Sequence, residues 1–485
     1  MGKLNRRTFL QHSFTAGVST IVLPVVNERF SPAAEQWGIH KNPNPKKVIV
    51  GGGGIAGLCC AYELMKMGHD VTVMEASGRH GGHVFTAHDG LSDGLYADCG
   101  QEHITKPGYD RYWDYIKEFN LEVIPKRSRK GSLRRIEGRF YTDEMLADPS
   151  VLKQFRFNDR EIKFLSANPW SELPSLYTNS YVDKFKDEYQ PFGVGYDELD
   201  AIPMSAWYKK EGASDAALNQ MEGNDSSALF GLWQSAILRL RGVSLQPDVF
   251  RLKDGNQVLP NAFAKKLGNR VWLHCPVTGI KNSNQNITVR YKRFNEEKTI
   301  TADYFVNCIP LTAFRKINIE PQLPADKQYI IDNIRYSSYQ KFIFQASSKF
   351  WLDDGLSTIN MSLNHPDLGN IWHSAEEVDT HRVIILGTGP GGVSPQRALA
   401  AFREVYPGRR DTIEQVLNKD WTKEGFASDC ERLPFPIGQL HKFWPGLMQP
   451  AGRIHFAGAY ADNLWWGTEA ATRSANRVAK TINES

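Results

Sequence analysis

The chain has 485 residues, 41% hydrophobic and 23% charged. This composition excludes wholesale disorder and a membrane bundle and fits one large domain pair or two to three ordinary domains. Its 58 basic and 54 acidic residues leave a formal charge of +4, and no basic helix or aromatic platform stands out, so nucleic acid is set aside as a partner. Cys59, Cys60, Cys99, Cys275, Cys308 and Cys430 show no CxxC spacing, so neither a disulfide framework nor a metal site is expected.

The first element in chain order is a leader. Arg6-Arg7 in "NRRTFLQ" precede an apolar stretch and then "SPAAEQ", the order of a signal peptide. The apolar run of about 13 residues is short of the roughly 20 that span a bilayer, so removal is expected rather than anchoring. The arginine pair resembles a twin-arginine signal and predicts a periplasmic or secreted protein exported folded, with its cofactor loaded. We read residues 1–34 as the signal and 35–45, with Pro43 and Pro45, as a linker.

The next segment reads as strand, turn, helix and strand. Val48, Ile49 and Val50 are β-branched and predict a short buried strand, and Leu58 to Met67 predict a helix. Between them, Gly52 permits the tight turn, Gly54 lets backbone approach a pyrophosphate, and Gly57 lets helix pack on strand. "HDVTVMEA" predicts a second strand ending in Glu75, eighteen residues after Gly57, where a carboxylate can accept from ribose hydroxyls. The full order predicts a dinucleotide site, whereas a glycine turn alone would not.

The continuation indicates which dinucleotide. "EASGRHGGHVFT" resembles the ExxxRxGGR stretch of the flavin-dependent amine oxidase superfamily, whose members include flavin monoamine oxidases and L-amino acid oxidases. Glu75, Arg79, Gly81 and Gly82 match, while His83 stands where that family usually has arginine. "DGNQVLPNAFAKKLGNRVWLHCPVTGI" is similar to the family's segment containing the valine, here Val277, whose backbone pairs with adenine. The stretch through "SSYQKFIFQASSKFW" resembles the one carrying the lysine that holds a water over flavin N5, which falls on Lys341, ten residues before Trp351. "GRIHFAGAYADNLWWGTEAATRSANRVAKTI" resembles the C-terminal FAD segment, with Gly458 near the phosphates, Thr468 offering backbone to the isoalloxazine, and Glu469 at the family's acidic position.

The resemblance implies an α/β fold: a Rossmann-type (GR2-like) FAD-binding domain assembled from residues 46–105, 250–300 and 445–485. Residues 106–249 and 301–444 then form a substrate-binding domain with a mixed sheet and a helical subdomain. Helical pattern in "YDRYWDYIKEFNLE" and "SSALFGLWQSAILRLRG", and strand pattern in "KFIFQA" and "RVIILGTG", agree with that division. The implied cofactor is FAD, held noncovalently: Cys430 in "GFASDCERL" lacks the glycines and tyrosine that surround the flavin-linking cysteine of some relatives.

The implied activity is an oxidase that transfers hydride from an amine or amino-acid C–H to flavin N5. Oxygen is then the acceptor, giving hydrogen peroxide, and the imine hydrolyses. Lys341 takes the catalytic position. His103 falls where amino-acid oxidases of this family place an arginine for the substrate carboxylate, and an imidazole is a poorer bidentate partner. Trp466, beside Gly467, falls next to one of the two aromatics that flank the flavin in many relatives, and Trp372 in "GNIWHSA" falls where an active-site aromatic is expected. Two other functions fit the FAD motifs: a desaturase or isomerase of an apolar substrate, and an exported flavin-binding protein without turnover.

Overall fold

A computed structural model describes residues 42–126, 132–221, 226–243, 247–294, 296–464 and 467–485. The expectations for the signal, for most of the linker and for Trp466 therefore lie outside the described residues.

Lys47–Gly51, the strand expected from three β-branched residues, is the centre of a five-stranded sheet. It pairs in parallel with Asp70–Met74 on one side and Tyr304–Asn307 on the other. Val271–Trp272 and Ile454–Phe456 extend the sheet in the same direction. A parallel sheet is covered on both faces, which is why its strands read as continuous apolar runs. The Ile55–Lys66 helix is buried at every position but its last, packed between this sheet and the C-terminal helix Gly467–Asn483. The sheet thus draws on widely separated parts of the chain, and its middle contribution ends at Asn307, not near residue 300.

A second sheet of seven strands runs in the order Ile413–Asp420, Gln340–Ala346, Val383–Gly389, Leu368–Ser374, Met361–His365, Leu133–Ile136, Arg139–Thr142. Gln340–Ala346 lies second in it and is buried at all seven positions. Period-two alternation sends Phe342 and Phe344 into an apolar core with Phe350, Ile385 and Phe402, the last from the Pro395–Val405 helix. Lys341 and Ile343 face the other way; Ile343 packs with Leu95, Tyr96 and Cys99. The strand pattern in "QKFIFQA" is thereby what turns a lysine inward.

Helices from Asp143–Ala147 to Ala228–Leu240 form the helical part, with a capping box at Asn158 and Glu161. The stretch "YADCGQEHI" forms two short strands, Ala97–Asp98 and the start of Ile104–Lys106, instead of one continuous strand. The cause is local. The Cys99 N–H donates to the Phe85 carbonyl and the Gln101 N–H to the His83 carbonyl. A Cβ on Gly100 would lie 1.6 Å from the His83 oxygen, so the chain turns against residues 83–85 there. Among the described residues no helix is long and apolar enough to cross a membrane.

Candidate functional site

One cavity of about 1410 Å³ runs from the glycine turn, past the N-terminus of the last helix, to the seven-stranded sheet. Single-ligand pockets usually hold about 300 to 1,000 Å³, so this one has room for a dinucleotide and a substrate together.

The turn is built by its glycines. Gly52 has a φ of +99°, a conformation that disfavours a side chain, and a Cβ on Gly57 would lie 1.9 Å from the Gly52 carbonyl oxygen. Gly54 differs: a Cβ there meets no protein atom closer than 3.8 Å, because the position faces the cavity. Gly81 pairs with Gly54 across an isolated bridge, its N–H donating to the Gly53 carbonyl at 2.8 Å. The helices beginning at Ile55 and Gly467 both bring their N-terminal ends to the wall, where unpaired N–H groups favour an anion such as a diphosphate. Glu75 accepts from the Gly53 N–H (2.6 Å) and from the Ser77 N–H and hydroxyl (2.8 and 2.7 Å), and still borders the cavity.

Arg79 donates to the Gly82 carbonyl at 2.8 Å and lies 4.8 Å from the centre of the Phe85 ring. His83, in the position where arginine was expected, stacks on Trp421 with centroids 4.2 Å apart. Burial pushes its pKa down to about 4, so it is neutral near pH 7, and this corner's positive charge comes from Arg79 and from Lys419, whose Nζ lies 4.9 Å from the centre of the Trp421 ring. The wall also carries His83 Nε2, Thr278 Oγ1 and Thr468 Oγ1, all buried without a protein hydrogen-bond partner. Buried polar atoms ordinarily have partners. Orphaned atoms on a wall with a side-chain-free glycine approach and two helix N-termini fit a dinucleotide with polar edges, and the residues present fit FAD.

At the other end, the Lys341 ammonium donates to the Asp98 carbonyl at 3.3 Å and stands 3.7 Å from Glu102 Oε2. Glu102 Oε1 accepts from Lys126 Nζ at 2.6 Å and from Trp372 Nε1 at 2.7 Å. Burial pushes the Glu102 carboxyl up, but Lys126 and Lys341 outweigh it and hold the pKa well below the ordinary carboxylate range. An ionised Glu102 therefore sits between two ammonium groups and fixes the indole of Trp372, whose ring is 5.3 Å from Lys341 Nζ.

The cavity brings together Gly52, Gly54, Glu75, Arg79, Gly81, Gly82, Val277, Gly458 and Thr468 with Lys341, His103 and Trp372. Gly57 acts behind the wall, as packing. Glu469 is not brought to it: its carboxylate accepts from the Arg111 and Tyr112 N–H groups at 3.1 and 3.0 Å and caps the Asp110–Glu118 helix. Sequence reasoning missed Glu102, Lys126, Arg134 and Tyr339, all but Lys126 on the cavity wall. Tyr339 had a signal, standing two residues before Lys341. Glu102 stood beside a named residue, but its partner Lys126 lies in a segment with no motif.

Residues 55–483 match the model of a family described as flavin containing amine oxidoreductase. The chain is 26% identical over 477 residues to an L-amino-acid oxidase of Vipera ammodytes ammodytes, covering 92% of this chain and 95% of that one. It is 25% identical to an L-amino-acid oxidase of Daboia russelii, covering 92% and 91%. Among solved structures it resembles cyclohexylamine oxidase from Brevibacterium oxydans IH-35A, with TM-score 0.73, 22% identity and coverage of 91% and 99%. A putrescine oxidase bound to putrescine superposes with TM-score 0.74 at 18% identity, covering 91% and 100%.

Proposed function

The chain belongs to the flavin-containing amine oxidoreductases and is an FAD-dependent oxidoreductase; from that premise we propose that it is an oxidase of a small-molecule amine or amino acid. In the net reaction the substrate loses two electrons and two protons from its H–C–N–H unit and becomes an imine. Oxygen takes them to form hydrogen peroxide, and water hydrolyses the imine to a carbonyl compound and ammonia. Bound FAD supplies the electron sink.

The chain's own residues bind, orient and hold charge. Gly52, Gly54 and the helix N-termini receive the diphosphate with Arg79, Glu75 a ribose, and Val277 the adenine. Gly81, Gly82 and Gly458 keep backbone close to the cofactor, and Thr468 offers its N–H and hydroxyl at the inner end. Cys430 borders the cavity, but burial raises its pKa, which keeps the thiol protonated and supports a noncovalent cofactor. Lys341 spends one N–H on the Asp98 carbonyl and keeps others to hold a water beside the reacting centre. Trp372 forms a substrate wall. The observation that carries the reading is Lys341: a buried ammonium on a rigid strand, opening on the same cavity as the cofactor cradle.

The test is oxygen uptake and peroxide release by the purified protein against amines and both enantiomers of amino acids. Lys341→Met should keep FAD yet slow turnover on the order of a hundredfold, the usual effect of deleting one positioned group. Flavin that bleaches anaerobically with an apolar polyene but not with amines would replace the oxidase by the desaturase. Rates for Lys341→Met within about twofold of the parent, under half a kilocalorie, would remove the lysine from the chemistry.

A further inference from the structure

The cavity extends beyond Lys341 along one row of the seven-stranded sheet. Lys341 stands opposite Thr388, the Asn370 N–H donates to the Thr388 hydroxyl at 3.4 Å, and Ser362 stands opposite both Asn370 and Arg134. All five border the cavity. Residues opposite one another across strands share a face, so the row is a polar floor with an ammonium at one end and a guanidinium at the other. Four inter-strand steps of about 4.8 Å put the two Cα atoms roughly 19 Å apart, which two long side chains leaning inward reduce to on the order of 10 Å.

Arg134 has no stated use in the fold. It is half-buried, and among the described residues no hydrogen bond or ion pair ends on its guanidinium. Burial lowers its pKa, and among the described residues Asp143 is the charge that opposes this. The Asp143 carboxylate is occupied by the Ser132 N–H and hydroxyl, at 3.2 and 3.0 Å. A half-desolvated guanidinium calls for an anion, and its fork suits a carboxylate. His103 also lines the cavity, but an imidazole is a poorer bidentate partner for a carboxylate than a guanidinium.

Resting on the amine-oxidising reading, we propose that the far end of the cavity is an anion subsite in which Arg134 takes the terminal carboxylate of a long substrate whose amine is oxidised beside Lys341. The substrate class is an amine whose chain ends in a carboxylate, in preference to a short α-amino acid.

The experiment compares 8-aminooctanoate with octylamine as substrates of the holoenzyme, and measures octanoate binding by calorimetry, in the parent, Arg134→Gln and Arg134→Lys. The parent should prefer the amino carboxylate by at least about tenfold in kcat/KM through KM, the value of one charge-assisted hydrogen bond or more, and should bind octanoate. Arg134→Gln should bring the preference ratio close to one and lose octanoate binding, with Arg134→Lys in between. An unchanged ratio, or octanoate binding as tight in Arg134→Gln as in the parent, overturns the subsite. If neither amine is oxidised, the proposed substrate class is overturned, the amine and amino-acid screen decides the oxidase reading, and octanoate binding decides the anion site alone. Should Arg134→Gln lose its flavin, Arg134→Lys carries the same comparison.

Discussion

Glu102→Gln tests the electrostatic arrangement beneath Lys341. The substitution keeps the shape and an acceptor for Trp372 Nε1 but removes the one negative charge between Lys126 at 2.6 Å and Lys341 at 3.7 Å. The side chains of all three are at most 6% exposed, so water does not replace the lost charge. At an effective dielectric of about 20, a unit pair 2.6 Å apart is worth roughly 6 kcal/mol before desolvation is subtracted. Breaking one partner out of a buried pair typically costs about 3–5 kcal/mol. With an unfolding entropy of about 2.1 cal/mol/K per residue over roughly 450 folded residues, that lowers Tm by about 3–5 °C. Calorimetric melting of the holoprotein reads the shift. Adding Lys126→Met should return at least about 1–2 kcal/mol, because the charge that Glu102 faced at 2.6 Å is then gone and neighbouring substitutions couple. A loss below about 1 kcal/mol in the single variant, or no recovery in the double one, would refute the buried ion pair.

Gly57→Ala and Gly54→Ala should separate packing from binding. The first drives a Cβ to 1.9 Å from the Gly52 oxygen and should lower Tm by several degrees, on the order of an overpacked core; the second should leave the apoprotein's Tm unchanged and weaken FAD, read by flavin retained on gel filtration. Asp98 has its pKa raised by burial to about 6 from 3.8, so its contribution to stability is fully present below pH 3.8 and is lost as pH rises to about 6, by about 3 kcal/mol. Asp98→Asn should therefore gain on the parent in Tm across that window and no further above it, and a constant offset from pH 4 to 7 would contradict the assignment. Replacing Arg6-Arg7 with two lysines should leave folded, FAD-loaded protein in the cytoplasm by fractionation, and continued export would remove the twin-arginine expectation.

The cofactor end of the site was legible because its constraints are local. A tight turn, a close backbone approach and a helix start each need particular residues within a few positions, and Gly52, Gly54, Gly57 and Glu75 encode them at fixed spacing. Lys341 was legible through family spacing, and the alternation of "QKFIFQA" then explains physically why it points inward. Glu469 shows the limit of that method: its position in the motif was plain, but its direction was set by a helix start at Asp110, more than 350 residues earlier, whose N–H groups it satisfies. Glu102 and Arg134 show the other limit. What distinguishes Glu102 is burial between two lysines, one 24 residues away and one 239 away, and what distinguishes Arg134 is a guanidinium on which, among the described residues, no hydrogen bond or ion pair ends once seven strands have assembled. Neither property exists in any short window of sequence. A charge becomes chemically informative only when folding has decided which other charges it meets, and for Glu102 and Arg134 that is decided by strands and loops far apart in the chain.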